Sequence, residues 1–111
     1  MIQIFATNSQ DRQSLGQMAI NISNILQIEH MDVLIDVTSV ESGWHGYCDV
    51  DSIDPNRADV FINETLSYDD KVIALAHELI HVCQFANQMS LDEDVAYENE
   101  SIIAEMAVNL L

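Results

Sequence analysis

The sequence predicts an α+β fold: a small, twisted, mainly antiparallel sheet packed against helices. Short β-branched runs give way to longer stretches with apolar residues at every third or fourth position, in the order β, α, β, β, β, α, α. Of the 111 residues, 49% are apolar and 20% charged, the balance of a folded globular protein and too apolar for a disordered one. A chain of this length supports one hydrophobic core, so a single domain over residues 1–111 is expected.

Each element has a local cause. Ile2, Ile4 and Ala6 alternate with Gln3 and Phe5 as a short strand does, and Asn8, Ser9 and Asp11 then offer capping groups. From about Arg12 to Ile28, the residues Leu15, Met18, Ala19, Ile22, Ile25 and Leu26 recur at helical spacing and mark one buried face. Val33, Leu34, Ile35, Val37 and Val40 make a β-branched run suited to a largely buried strand. Tyr47, Cys48 and Val50, the turn chemistry of Asp54-Pro55-Asn56-Arg57, and the run Ala58 to Asn63 read as a β-hairpin.

Tyr68 to about Asn87 is helical and apolar on most sides, with Asp69 and Asp70 in its first turn, where carboxylates suit the helix dipole. It is expected to be the central, buried helix. A last helix begins near Asp92 and runs to the C-terminus, with Val95, Ile102, Ile103, Met106, Ala107 and Leu110 as its expected inner face.

Charge excludes some functions. Nineteen carboxylates stand against Arg12, Arg57 and Lys71, a formal net charge of −16, so no basic patch exists to displace counterions from DNA or RNA. A basic protein or peptide is the more natural partner, although such acidity also simply keeps a small protein soluble. The N-terminal residues lack a secretory pattern and no apolar run approaches the ~20 residues that span a bilayer, so no membrane partner and a cytoplasmic location are expected. Cys48 and Cys83 form no disulfide framework.

Chemistry concentrates in the central helix. His77-Glu78-Leu79-Ile80-His81 places two imidazoles four residues apart, on one helical face and within reach of one metal ion. Imidazole nitrogen suits zinc, and a catalytic zinc takes three protein ligands and leaves a fourth position for water. Glu78, beside the first histidine, suits a general base that takes the proton of that water and returns it to a leaving amine. Two histidines could instead be hydrogen-bonded core residues, but a mostly apolar helix buries such groups at high cost without a partner.

No histidine follows His81, so a third ligand must be a carboxylate, and the candidates are Glu98, Glu100 and Glu105. At this point the chain resembles gluzincin metallopeptidases, whose aminopeptidase branch carries HExxH, eighteen intervening residues and a ligand glutamate commonly preceded by asparagine. Here eighteen residues separate His81 from Glu100, and Asn99 precedes it. The resemblance implies a zincin-like domain with one zinc ion held by His77, His81 and Glu100. A helical projection also puts Glu100 nearer the expected apolar face than Glu98 or Glu105.

In related enzymes an acidic residue four positions after the ligand glutamate orients a histidine. That position is Ala104 here, leaving Glu105 or Glu98 as candidates for the role. The chain is similar, more loosely, to the compact SprT-like and ImmA-like HExxH proteins of phage and prokaryotic genomes, although SprT-like enzymes generally use a third histidine.

The implied reaction is hydrolysis of a protein or peptide substrate by Glu78-assisted attack of metal-activated water. In zincins an edge strand commonly pairs with extended substrate, and Ala58 to Asn63 or Tyr47 to Val50 are candidates. A donor for the tetrahedral oxyanion is also needed; Tyr97 and His45 are the candidates, with Tyr47 and Tyr68 behind them. Two other readings remain: a catalytically silent acidic protein-binding module that keeps the fold, and an acidic decoy for a basic protein. Glu78 argues against both, because a purely structural zinc site needs no base.

Overall fold

A computed structural model describes residues 1–41, 43–50 and 53–111. The elements follow the expected order: β1 (Ile2–Ala6), α1 (Ser9–Leu26), β2 (Asp32–Thr38), β3 (Gly46–Val50), β4 (Arg57–Asn63), α2 (Tyr68–Ala86) and α3 (Glu93–Asn109). Asn8 caps α1, its side chain accepting from the amides of Gln10 and Asp11. Ser67 caps α2 and Asp92 caps α3 in the same manner.

The strands form one mixed sheet in the order β1-β2-β4-β3. β1 runs parallel to β2, and β2 parallel to β4; only β3 is antiparallel to its neighbour, β4. The α+β class holds, but the expected mainly antiparallel sheet is corrected to a mainly parallel one. The reason is connectivity. The helix α1 returns the chain to the end of the sheet where β1 began, which makes β2 parallel to it. Between β2 and β4 the chain passes first along the edge as β3, then turns through Asp54, whose side chain accepts from the amide of Asn56 at 3.0 Å. The β3–β4 pair is therefore the hairpin read from the sequence.

Alternation along the strands sorts the two faces of the sheet. Val33, Ile35 and Val37 of β2 and Ala58, Val60 and Ile62 of β4 are buried, and they join Leu15, Met18, Ile22, Leu75, Leu79 and Val82 of the helices in one core. Truncating a side chain as enclosed as Leu75 or Leu79 to alanine costs about 2–5 kcal/mol. Lys71 at the start of α2 reaches Asp11 of α1 at 2.8 Å, a mostly enclosed ion pair that fixes the two helices against each other. Asn21 of α1 donates to the carbonyl of Ala107 at 3.1 Å and ties down the end of α3.

The inner face of α3 also needs correction. Of the expected residues, Ala107 is buried and Ile103 packs partly against the core, whereas Val95, Ile102, Met106 and Leu110 are exposed; Ala96 and Ala104 complete the buried face. α3 lies against both α1 and α2. Small side chains allow that close approach, so alanines face inward and the bulkier residues that dominate the hydrophobic periodicity face out. The edge-strand expectation is narrowed too: β4, containing Ala58 to Asn63, is interior, and β3 is the edge on that side.

Candidate metal centre

Where α2 passes under β3, His77, Glu78 and His81 come together on the wall of a cleft of about 770 Å³. One donor atom from each lies within 4.8 Å of the others, a group able to hold a metal ion. All three residues are nearly enclosed, at 8%, 6% and 3% relative exposure. The spacing of four turns both imidazoles to the same side, with ring centroids 4.9 Å apart and nearly perpendicular.

Each imidazole has a hydrogen-bond partner on Nδ1. That of His81 contacts the side-chain oxygen of Gln84 at 2.9 Å, and that of His77 contacts Glu100 at 2.8 Å. Gln84 is itself held, because its amide nitrogen donates to the carbonyl of Asp92 at 3.2 Å and its oxygen accepts from the Asp92 amide at 3.0 Å. Those two bonds orient the Gln84 amide, so His81 must donate from Nδ1 and direct Nε2 elsewhere. Both Nε2 atoms point to the carboxylate of Glu93, at 2.5 Å from His81 and 3.2 Å from His77.

No family model, curated protein or solved structure matches the chain. Two nitrogens and carboxylate oxygens converging at a cleft wall are a donor set able to hold a divalent metal ion, and each histidine also has an acceptor on Nδ1.

Burial holds the carboxyl of Glu78 up at about 7; the neighbouring histidines pull it down, and Glu93 and Glu100 push it up. A carboxyl poised there exchanges a proton readily near neutral pH. On β3, burial pushes the Cys48 thiol to about 12, reinforced by the charges of Glu78, Asp49 and Asp59. Cys48 is thus a protonated part of the cleft wall.

The residues singled out from the sequence are placed unevenly. His77, Glu78, His81 and Glu100 are brought together, with Glu100 at the Nδ1 side of His77. The Tyr97 ring lies 4.7 Å from that of His77, and its residue is 63% exposed in the cleft. His45 is exposed and also lines the cleft, its backbone carbonyl accepting from the amide of Asn63 at 2.8 Å. The Tyr47 ring stacks on Phe61 at 4.4 Å, and Tyr68 lies outside the cleft lining. Glu98 and Glu105 are exposed, and neither of them hydrogen-bonds a histidine, whereas Glu100 and Gln84 do.

Glu93, Gln84 and Asp92 were not anticipated. Gln84 was findable, because it follows His81 by three positions on the same helix and lies beside it. Glu93 precedes Glu100 by seven residues, two helical turns, and so shares its face of α3.

Proposed function

We propose that this chain is a zinc-dependent metallopeptidase that hydrolyses peptide bonds of a protein or peptide substrate. The observation that carries this reading is the buried His77, Glu78 and His81 group opening into a cleft large enough for part of a peptide. The gluzincin resemblance of the same residues supports it. Zinc bound there would acidify water and polarise the substrate carbonyl.

The protein's own contributions follow from position. His77 and His81 supply imidazole nitrogens whose directions are set by Glu100 and Gln84. Glu78, beside the two imidazoles, takes the proton of the attacking water and hands it to the leaving amine. Tyr97 and His45, which both line the cleft, are the proposed donors to a developing oxyanion. The edge strand β3 offers backbone groups to an extended substrate, which would lie across the cleft. The net charge of −16 favours basic substrates.

Elemental analysis and cleavage assays test this together. Purified protein dialysed against metal-free buffer and reloaded should hold about one zinc per chain, as a single three-ligand catalytic site requires. His77→Ala should hold none, and Glu78→Gln should keep zinc while losing cleavage of a mixed peptide library. Zinc retained by His77→Ala, or undiminished cleavage by Glu78→Gln, would overturn the proposal.

A further inference from the structure

The geometry points to Glu93 as the third metal ligand, with Glu100 serving as the outer acceptor that orients His77. This inference rests on the metallopeptidase reading but departs from the ligand set implied by the eighteen-residue spacing.

The two imidazoles define the argument. A histidine that binds a metal through one ring nitrogen donates from the other to an acceptor outside the metal's coordination. For His81 the outer nitrogen is identified independently, because Gln84 is oriented by its two bonds to Asp92 and accepts from Nδ1. Nε2 is then the metal-binding atom. His77 is arranged alike: Nδ1 faces Glu100 at 2.8 Å and Nε2 faces the point shared with His81. Glu100 stands to His77 as Gln84 stands to His81. A carboxylate on Nδ1 is on the far side of the ring from that shared point.

The carboxylate at the shared point is Glu93. Its two oxygens divide between the histidines, Oε1 toward His81 and Oε2 toward His77. A cation introduced between the Nε2 atoms would meet these oxygens first. Glu93 is also placed by the network that orients His81, since Gln84 grips both polar backbone atoms of Asp92, the cap of α3 and the residue before Glu93. At 61% side-chain exposure, the Glu93 carboxylate stands at the open side of the cleft, free to shift onto an ion arriving from solvent.

Metal affinity and coordination separate the two carboxylates. Zinc affinity is measured by competition with a chromophoric chelator, and visible absorption is recorded on the cobalt-substituted protein. The exposed Glu98→Gln serves as control. Glu93→Gln should lose more than about a hundredfold in zinc affinity and change the cobalt spectrum, whereas Glu100→Gln should lose about tenfold to a hundredfold and keep the wild-type spectrum. Glu93→His, which restores a ligand nitrogen, should recover much of the affinity.

The reverse pattern, with the spectrum altered by Glu100→Gln and unchanged by Glu93→Gln, would overturn the assignment while leaving the metal site intact. No zinc or cobalt bound by the wild-type chain would instead remove the metallopeptidase reading, and this assignment with it.

Discussion

Gln84 and His81, one turn apart on α2, share a hydrogen bond of 2.9 Å that also belongs to the start of α3, because Gln84 holds the backbone of Asp92. The imidazole of one helix and the first turn of the next are thus set by one amide. Replacing it with Gln84→Leu removes three hydrogen bonds at a site only 4% exposed. Zinc affinity should fall about tenfold to a hundredfold, as for other outer partners of metal-binding histidines. Hydrogen exchange of the amides in the first turn of α3 should accelerate as well. Unchanged affinity with faster exchange would confine Gln84 to a capping role.

The carboxyl of Glu78 predicts a pH dependence of the metal-free protein. Its pKa is raised from 4.5 to about 7 in the native state, so the native protein keeps a proton that the unfolded chain has already released. Its contribution to stability is complete below pH 4.5, declines as pH rises through the window to about 7, and is absent above it. The loss amounts to roughly 3 kcal/mol. Urea denaturation in a chelator should therefore show Glu78→Gln close to wild type near pH 4 and more stable than it at pH 8. Parallel pH profiles for the two proteins would contradict this account.

Two glycines should respond oppositely to a methyl group. A Cβ on Gly46 would stand 2.5 Å from the carbonyl oxygen of Phe61, so β3 would have to draw away from β4. Gly46→Ala should cost roughly 1–3 kcal/mol. At Gly16, inside α1, the nearest atom to such a Cβ is a methyl group of Ile4 at 3.4 Å. Gly16→Ala should gain about 0.5–1 kcal/mol from helix propensity. Denaturation midpoints of the two variants on opposite sides of wild type are the expected result.

The thiols supply a fourth test. Burial raises both Cys48 and Cys83, and Cys48, at about 12, also feels the charge of Glu78. At pH 8 the native Cys48 should alkylate on the order of a thousandfold more slowly than an unperturbed cysteine. Glu78→Gln should speed Cys48 without affecting Cys83. Equal acceleration of both would indicate a loosened fold in place of a lost charge.

Legibility in the sequence followed the locality of each cause. The cap at Asn8, the span of α2 and the convergence of His77 with His81 depend on residues within a turn or two, and all were readable. Strand direction was misread even though a helix between β1 and β2 already favours parallel pairing; the place of β4 between β2 and β3 had no such local signal. The face of α3 was readable only at Ala107 and Ile103: Ala96 and Ala104 carry less hydrophobic signal than Val95, Ile102 and Met106, yet they are the ones that pack inward. For Glu93 the two-turn spacing from Glu100 marks only the face of α3; its reach to the histidines comes from the docking of Asp92 on Gln84, a contact between helices.

Every side chain gathered around the paired imidazoles from α2 and α3 lies within a short continuous stretch, the longest hydrogen-bonded separation being the 23 residues between His77 and Glu100. Closing so short a loop has a small entropic cost. The parallel pairing of β1 with β2 joins residues further apart, across the whole of α1. A helical hairpin able to grip an ion before the sheet is complete would make that ion a folding nucleus as well as a reagent. Refolding should then start from the C-terminal half of the chain, and zinc should steepen its early phase.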